Sequence, residues 1–353
     1  MSVSSPVSDR QPPECEFTVE WFLNSKRVDT FLARHLRNWS PWRIQRMVQA
    51  GCVLVNDVPV TVEYRVRPND CVRIRLVSPP DRTPIPEPLP VEVLYEDPWL
   101  IAVNKPAGQI AHPGGEFLGR TLINALQFYL DQQTPQPGMV RPGIVHRIDR
   151  QTSGVMICPK EHVTHRKLTR QFEHHEIQKS YVTIVSGDLR EDEGSIDLPV
   201  GSVPNPNCTL MCAKPIAVDA KTARTQYRVI ERFGTHTFVE AMPLSGRHHQ
   251  IRIHFAELGY PLLADQYYAS GGLIKDGTPI DPDADPDSFA GRRYFEDPFY
   301  DTDLPLRRHA LHAAKITFEH PIFGLPMQIE APPSDDFKKT LAALRDRRQV
   351  PAN

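Results

Sequence analysis

The chain has 353 residues, 40% of them hydrophobic, and a net charge of −2. That is enough to bury a large core in two domains, or in one with appendages. No apolar stretch approaches the roughly 18–20 residues of a membrane span, and MSVSSPVSDRQPPECEF has neither the apolar core nor the charged leader of a signal peptide, so a soluble, cytoplasmic protein without a membrane partner is expected. The six cysteines lack paired CxxC spacing, Cys208 and Cys212 having no matching second pair. Reduced thiols are therefore expected, with neither zinc nor disulfides. No histidine falls in an HExxH pattern, and His248 and His249 read as structural residues or neighbours of a bound partner before metal ligands.

The net charge hides an asymmetry. Residues 26–77 hold ten cations, Lys26 and nine arginines, against four acids, which leaves +6. Residues 271–303 hold three cations against nine acids, which leaves −6. A basic module is an electrostatic footprint for phosphate.

Residues 1–15 are polar and Pro-bearing and read as a disordered tail. Residues 16–78 read as a small α/β module. Val28, Phe31, Leu32 and Leu36 have helical spacing. Ser40-Pro41 starts a second helix, with Ser as N-cap and Pro in the first position. Ile44, Met47 and Val48 give it an apolar face, Gly51 ends it, and Arg43 and Arg46 lie elsewhere on it as candidate phosphate contacts. Val53 to Val55, a turn at Asn56-Asp57 and Val58 onward read as a hairpin.

Residues 79–90, PPDRTPIPEPLP, form a Pro-rich linker, extended and semi-rigid. From Val91 to residue 350 the pattern is short Val- and Ile-rich strands with fewer helices. Strands are predicted at Leu100 to Val103, Tyr181 to Val185, Thr225 to Ile230, Thr237 to Ala241 and Lys315 to Phe318, and helices at Leu122 to Leu130 and 161–175. The expected fold class is α+β, with a mixed, mainly antiparallel central sheet. Residues 269–308, with DPDADPDSF and many Gly and Pro, read as an acidic insertion loop.

The densest chemistry lies in 141–160, RPGIVHRIDRQTSGVMICPK. Asp149 stands between Arg147 and Arg150 after a strand-like apolar stretch. A small-residue turn, Thr152-Ser153-Gly154, and a second apolar run, Val155 to Cys158, come next. Neighbouring arginines would keep the carboxylate ionised and are suited to gripping phosphate. A surface turn with an Asp–Arg pair would look the same locally.

HRIDRQTSG resembles the HRLDxxTSG motif of the RluA-type pseudouridine synthases. LYEDPWLIAVNKPAGQIAHP (94–113) is similar to that family's first motif and KSYVTIVSG (179–187) to its tyrosine motif. GRHHQIRIHFAELGYPLLADQYY (246–268) is similar to GRTHQIRxHxxxxGxPIxGDxxY. The four stand in the family's order. Ile148 replaces the usual Leu, His248 a Thr or Ser, and Ala264 a Gly; the last two lie beside the site and bear on rate or specificity. RVDTFLARHL and SPWRIQRMVQAGCVLVNDVPV resemble an S4 RNA-binding domain.

The resemblance implies the pseudouridine-synthase fold, with the active site in a central cleft of the sheet. It implies Asp149 as catalytic carboxylate, Tyr181 as active-site tyrosine, and Arg252 as the arginine that pairs with the Asp. Read as a strand, 250–255 would put Gln250, Arg252 and His254 on one face. Arg147 would enter the RNA stack after base flipping. Arg150, Lys105 and His112 are further candidate RNA contacts, the last two open to a structural role instead. The isomerisation calls for no cofactor and no metal, and no P-loop or GxGxxG is present. The expected partner is RNA, ribosomal ahead of transfer RNA, with the protein a monomer. An RNA-binding relative that has lost catalysis is the main alternative, and an unrelated hydrolase using Asp149 is a distant one, there being no GxSxG elbow.

Overall fold

The structure, a computed structural model, describes residues 14–37, 39–75, 84–114, 119–134, 140–204, 210–274 and 303–349. Residues 14–75 form a four-stranded antiparallel sheet with two helices. The elements are β1 (Glu14–Thr18), α1 (Val28–His35), α2 (Pro41–Gln49), β2 (Val53–Val55), β3 (Val58–Pro59) and β4 (Cys71–Arg75), in strand order β1-β4-β2-β3. The tail is shorter than predicted. Cys15 is already buried and paired with Ile74, while 1–13 lie outside the described residues. Val28, Phe31 and Leu32 of α1 meet Ile44 and Val48 of α2 in one core, as the spacing predicts. Ser40 Oγ accepts the Arg43 N–H at 3.3 Å, and Pro41 opens α2. Asn56 and Asp57 take φ of 49° and 68° in the β2–β3 turn, the left-handed pair that a tight hairpin requires.

The Pro-rich segment is strapped down where it is described. Asn124 Nδ2 donates to Ile85 O at 2.7 Å, and the Glu87 N–H donates to Asn124 O at 3.1 Å. Glu87 Oε1 also accepts the Arg120 N–H at 2.8 Å. The expected free spacer is thus bound over its second half; 76–83 lie outside the described residues. The N-terminal unit also touches the rest of the chain directly, the His162 N–H donating to Arg37 O at 2.9 Å.

The remainder is built on a nine-stranded sheet. Its path runs β5 (Val93–Glu96), β6 (Leu100–Lys105), β7 (Ser153–Pro159), β17 (Leu311–Glu319), β8 (Gln178–Ser186), β14 (His236–Pro243), β13 (Arg224–Arg232) and β9 (Glu193–Asp197), with β18 (Pro326–Glu330) beside β17. A small sheet holds β10 (Val200–Ser202), β11 (Met211–Cys212) and β12 (Val218–Lys221), and β15 (Tyr268–Ala269) pairs with β16 (Leu273–Ile274). The helices are α3 (Leu122–Asp131), α4 (His162–Glu173), α5 (Gln250–Glu257) and α6 (Asp335–Gln349). The fold is α+β around a mainly antiparallel sheet, as predicted, and apart from 250–255 each strand and helix predicted after Val91 overlaps an observed one, β8 starting three residues and β17 four residues before the predicted position.

Three expectations need correction. The strand at 250–255 is a helix, α5, with Gln250 to Ala256 all buried. A helix enclosed on every side has no polar face, so its 3.6-residue period is invisible and Ile-Arg-Ile-His-Phe mimics alternation. The strand-like stretch before Asp149 is irregular chain. It is held by side chains instead of a ladder, as where His146 Nε2 accepts the Ile157 N–H at 3.0 Å. The acidic insertion is shorter at both ends, because Tyr268 to Ile274 form a hairpin and Leu304 and Leu306 are buried against Phe337 and Leu341. Its centre, 275–302, lies outside the described residues, as does Cys208.

Two half-sheets meet at β17. Its start pairs in parallel with β7, through His312–Ser153 and Ala313–Gly154, while its end pairs with β18. At that junction Gly154 has φ +120°, and a Cβ there would lie 2.2 Å from Ala313 O. Gly154→Ala should therefore cost about 3 kcal/mol or more, from positive-φ backbone strain plus a clash with immovable backbone. Thermal unfolding measures it, and a wild-type midpoint would contradict this account of the junction.

Candidate active site

The turn carrying Asp149 hangs directly before the β7–β17 junction. It closes on itself through the Thr152 N–H and Asp149 O at 3.1 Å. Segments remote in sequence then fix it. Thr152 Oγ1 meets His309 Nε2 at 2.8 Å, and Ser153 Oγ meets His312 Nδ1 at 2.9 Å. Arg308 donates to Gln151 O at 2.9 Å and to Ser153 Oγ at 3.2 Å, and pairs with Asp336 of α6 at 2.8 Å. On the other side Lys105 is wholly buried, its Nζ donating to the carbonyls of Pro106, Gln109 and Arg150 at 2.9, 2.8 and 3.2 Å. Burial lowers its pKa to about 7. Lys105 is thus a bracket under the turn and not a surface for RNA. Arg150 also turns back, its Nε donating to Gly108 O at 3.1 Å.

The neighbours of Asp149 are therefore not its flanking arginines. Arg252 Nη1 donates to Asp149 Oδ2 at 3.1 Å. The other edge of the guanidinium is clamped by Asp265, Nε to Oδ2 at 2.7 Å and Nη2 to Oδ1 at 2.8 Å. Asp265 Oδ1 also accepts the Tyr267 and Tyr268 N–H groups, at 2.9 and 3.3 Å. Arg252 is 2% exposed and Asp265 1%, so neither charge is stable alone at this depth. Tyr267 and Tyr268 also offer ring faces to the guanidinium, at 5.3 and 5.1 Å.

Burial by itself would raise the Asp149 pKa. The surrounding positive potential, from His249 and Arg252, outweighs it and holds the carboxyl below its usual range. His249 is itself driven by burial to about 3, so near neutral pH the full positive charge beside Asp149 belongs to Arg252. Burial drives the Tyr181 hydroxyl up, with the Asp149 charge adding to the effect, and the phenol stays protonated.

A cleft of about 570 Å³ opens over the turn, lined by Arg147, Asp149, Tyr181, Lys179, His249 and Arg252 among others. That volume suits a small-molecule-sized group. Tyr181 sits on β8 opposite Ala241 of β14 and Ala313 of β17. Directly opposed residues share a face, so two small side chains leave room beside its ring. Arg147 is exposed at the cleft mouth. Asp149, Tyr181, Arg252 and Arg147 thus converge, as the motifs implied. Asp265, Lys179, Arg308 and His309 were missed, and His249, read as structural or RNA-adjacent, lies 3.7 Å from the Asp149 carboxylate. Lys179 donates to Ser245 O at 3.1 Å and is lowered by burial to about 8.

His112 is exposed, its Nδ1 2.7 Å from Pro113 O, and Arg46 is exposed on α2. Arg43 is half-buried, 4.1 Å above the Trp39 ring, with burial and the nearby Arg141 lowering its pKa to about 10. Among the described residues, Asp149, His248 and His249 bring potential metal-ligand atoms together, all within 4.8 Å of one another. None of the described helices is long and apolar enough to cross a membrane.

Comparison with known proteins gives a family model described as RNA pseudouridylate synthase over residues 99–257 and one described as S4 domain over 26–72. The chain is 32% identical to the uncharacterized RNA pseudouridine synthase YlyB of Bacillus subtilis (strain 168), over 94% of this chain and 98% of that one. It is also 32% identical to the ribosomal large subunit pseudouridine synthase D of Nitrosomonas europaea, over 97% of this chain and 91% of that one. The structure is similar to human RNA pseudouridylate synthase domain containing 4, with a TM-score of 0.52 at 22% identity, over 72% of this chain and 93% of that one.

Asp265→Asn removes the charge that compensates buried Arg252 and should cost about 3–5 kcal/mol of stability at neutral pH. The pKa of Asp265 is depressed in the folded state. Its contribution is therefore present above the unfolded value of about 4 and is lost as pH falls toward the folded value. Urea unfolding at pH 7 and pH 3 should show the gap between wild type and variant shrinking in acid. An equal gap at both would refute the charge account.

Proposed function

The chain belongs to the RNA pseudouridylate synthase family, and we propose that it isomerises uridine to pseudouridine in large-subunit ribosomal RNA, with Asp149 as the catalytic carboxylate. The reading is carried by one observation: Asp149 is held ionised by Arg252 on the floor of a cleft walled by Tyr181. The choice of ribosomal RNA is supported by a relative over nearly the whole chain that is named for that substrate.

In the reaction the bond from ribose C1′ to uracil N1 breaks, and one from C1′ to C5 forms. The C5 proton leaves and N1 ends protonated, so no oxidant, reductant or energy source is consumed. Asp149 acts at the ribose or the ring. Tyr181 stacks on the base, and its hydroxyl assists removal of the C5 proton. Arg252 orients the carboxylate and keeps it charged. A uridine in structured RNA reaches such a cleft only when flipped out, at a cost of a few kcal/mol. Arg147, at the mouth, is placed to stack in the gap it leaves and to meet phosphate.

The N-terminal unit, residues 16–78, supplies the docking surface and residues 91–350 the chemistry. Arg46 and His112 are exposed for RNA contact. Arg43 and Arg141 repel one another, and Arg43 Nη2 and Arg141 Nε are buried without an acceptor among the described residues. A backbone phosphate against the partly exposed side of this guanidinium pair would relieve the repulsion between them.

Tritium release from RNA labelled at uridine C5 tests the function. Wild type should release label from ribosomal RNA of a strain lacking this protein, and Asp149→Asn should bind the same RNA and release none. Release from transfer RNA alone would replace the substrate, and turnover by Asp149→Asn would remove the catalytic assignment. Because Asp149 is held below the ordinary carboxylate range, kcat/KM should stay flat as pH falls from about 7 to 5. Arg252→Gln should raise the acid limb by about one to three units. For Arg43→Gln, the slope of log K against log salt should fall by about one, read by filter binding, with an unchanged slope excluding the phosphate contact.

A further inference from the structure

We propose that Asp149, His248 and His249 form a site for one transition-metal dication of the Zn²⁺, Ni²⁺ or Co²⁺ class, and that its occupancy switches the enzyme off. The switching rests on the reading of Asp149 as the catalytic carboxylate.

Three observations carry the site. The first is spacing. His249 Nε2 lies 3.7 Å from Asp149 Oδ2, too long for a hydrogen bond but near the separation of two donors that share a metal at about 2.0–2.1 Å. His248 completes the set, one donor atom from each residue lying within 4.8 Å of the others, its ring 3.9 Å from that of His249.

The second is support around the ligands. His249 takes a left-handed φ of 56° as N-cap of α5, and its Nδ1 meets Tyr268 Oη at 2.7 Å. A hydroxyl can accept from Nδ1–H and leave the Nε2 lone pair facing Asp149, the outer-shell arrangement typical of metal-binding imidazoles. Tyr268 is itself held, its Oη accepting the Met211 N–H at 3.2 Å.

The third is charge and access. Asp265 neutralises Arg252 through two hydrogen bonds, so Asp149 leaves the group with net negative charge. His248 is exposed, giving a dication a way in from solvent. Two imidazoles and one carboxylate, with a remaining position open to the cleft, suit these metals. A bound dication would take the carboxylate oxygen that the reaction needs. His248 occupies a position where the resembled motif has Thr or Ser, so the third ligand is a departure from that motif.

The test uses full-length protein stripped with EDTA. Co²⁺ titration should give visible d–d bands saturating at one ion per chain, displaced by Zn²⁺ and abolished in Asp149→Asn. His248→Thr should bind Zn²⁺ at least tenfold more weakly by calorimetry. Measured against its own turnover in metal-free buffer, its inhibition by Zn²⁺ should need at least tenfold more metal than wild type. Equal Zn²⁺ affinity in wild type and His248→Thr would overturn the site. Stoichiometric binding without loss of tritium release would overturn the switch. The Co²⁺ spectrum needs no turnover, so a failed synthase assignment would show as bands without tritium release in metal-free buffer, separately from a failed site.

Discussion

Everything at the centre of this protein depends on one buried guanidinium. Asp149 is partly buried, and burial alone would push its carboxyl toward the protonated form. Arg252 supplies the missing charge at 3.1 Å. Arg252 in turn is too deep to stand alone, and Asp265 compensates it with a two-point clamp, leaving an odd negative charge on Asp149. Asp265 is held by two backbone N–H groups from the residues just after it. The order of dependence runs from backbone to Asp265 to Arg252 to Asp149. Each buried charge is stabilised by the next, and the series ends on the Asp149 carboxylate in the cleft.

Rigidity of the Asp149 turn comes from a second, independent set of contacts. The turn has no strand before it, so no ladder fixes its approach. Its position is set by Lys105 below and by Arg308, His309 and His312 behind. Arg308 also reaches Asp336 of α6, so the C-terminal helix braces a turn nearly two hundred residues away in sequence. The parallel contact of β7 with β17 makes this possible, because it brings Ser153 beside His312. Gly154 is required at that contact, since any side chain would meet the Ala313 backbone. The small-residue turn that stands out in the sequence is thus a packing demand as much as a chemical one.

Elements with a one-sided environment were legible in the sequence. The helices of the N-terminal unit have one buried face and the Asn56-Asp57 hairpin a marked turn, while strands such as β6, buried on both faces, show as short Val- and Ile-rich runs. α5 was not legible, because burial on all sides erases the period. Asp149, Tyr181 and Arg252 were found through motifs. Their convergence in one cleft is a fact of three dimensions that spacing did not contain. Adjacency in sequence is a poor guide to the charge environment of Asp149, and its flanking Arg147 and Arg150 do not supply it. On an irregular turn successive side chains diverge, and Arg150 binds Gly108 while Arg252, 103 positions away, reaches the carboxylate. Lys105 resembles an RNA contact in sequence because lysine is rarely fully buried. Three backbone carbonyls converging on one point are what permit it here.

The same logic explains why a metal site was invisible in the sequence and is visible in the fold. Metal motifs announce themselves when ligands repeat at helical or hairpin spacing. Here one ligand lies on the Asp149 turn and two lie about a hundred residues on, at the left-handed entry to α5. Keeping a carboxylate charged and partly dry for chemistry also makes it a good ligand. Arg252 does not prevent this, since its charge is already matched by Asp265. What decides between a catalytic carboxylate and a chelating cluster is whether further neutral donors stand within reach of the same oxygen. His249 is fixed there by Tyr268 and by its place at the start of α5. His248 lies exposed at the rim, stacked on its neighbour. Metal sensitivity is therefore governed by one position that the scaffold leaves open to change, while the charges that keep Asp149 ionised stay as they are.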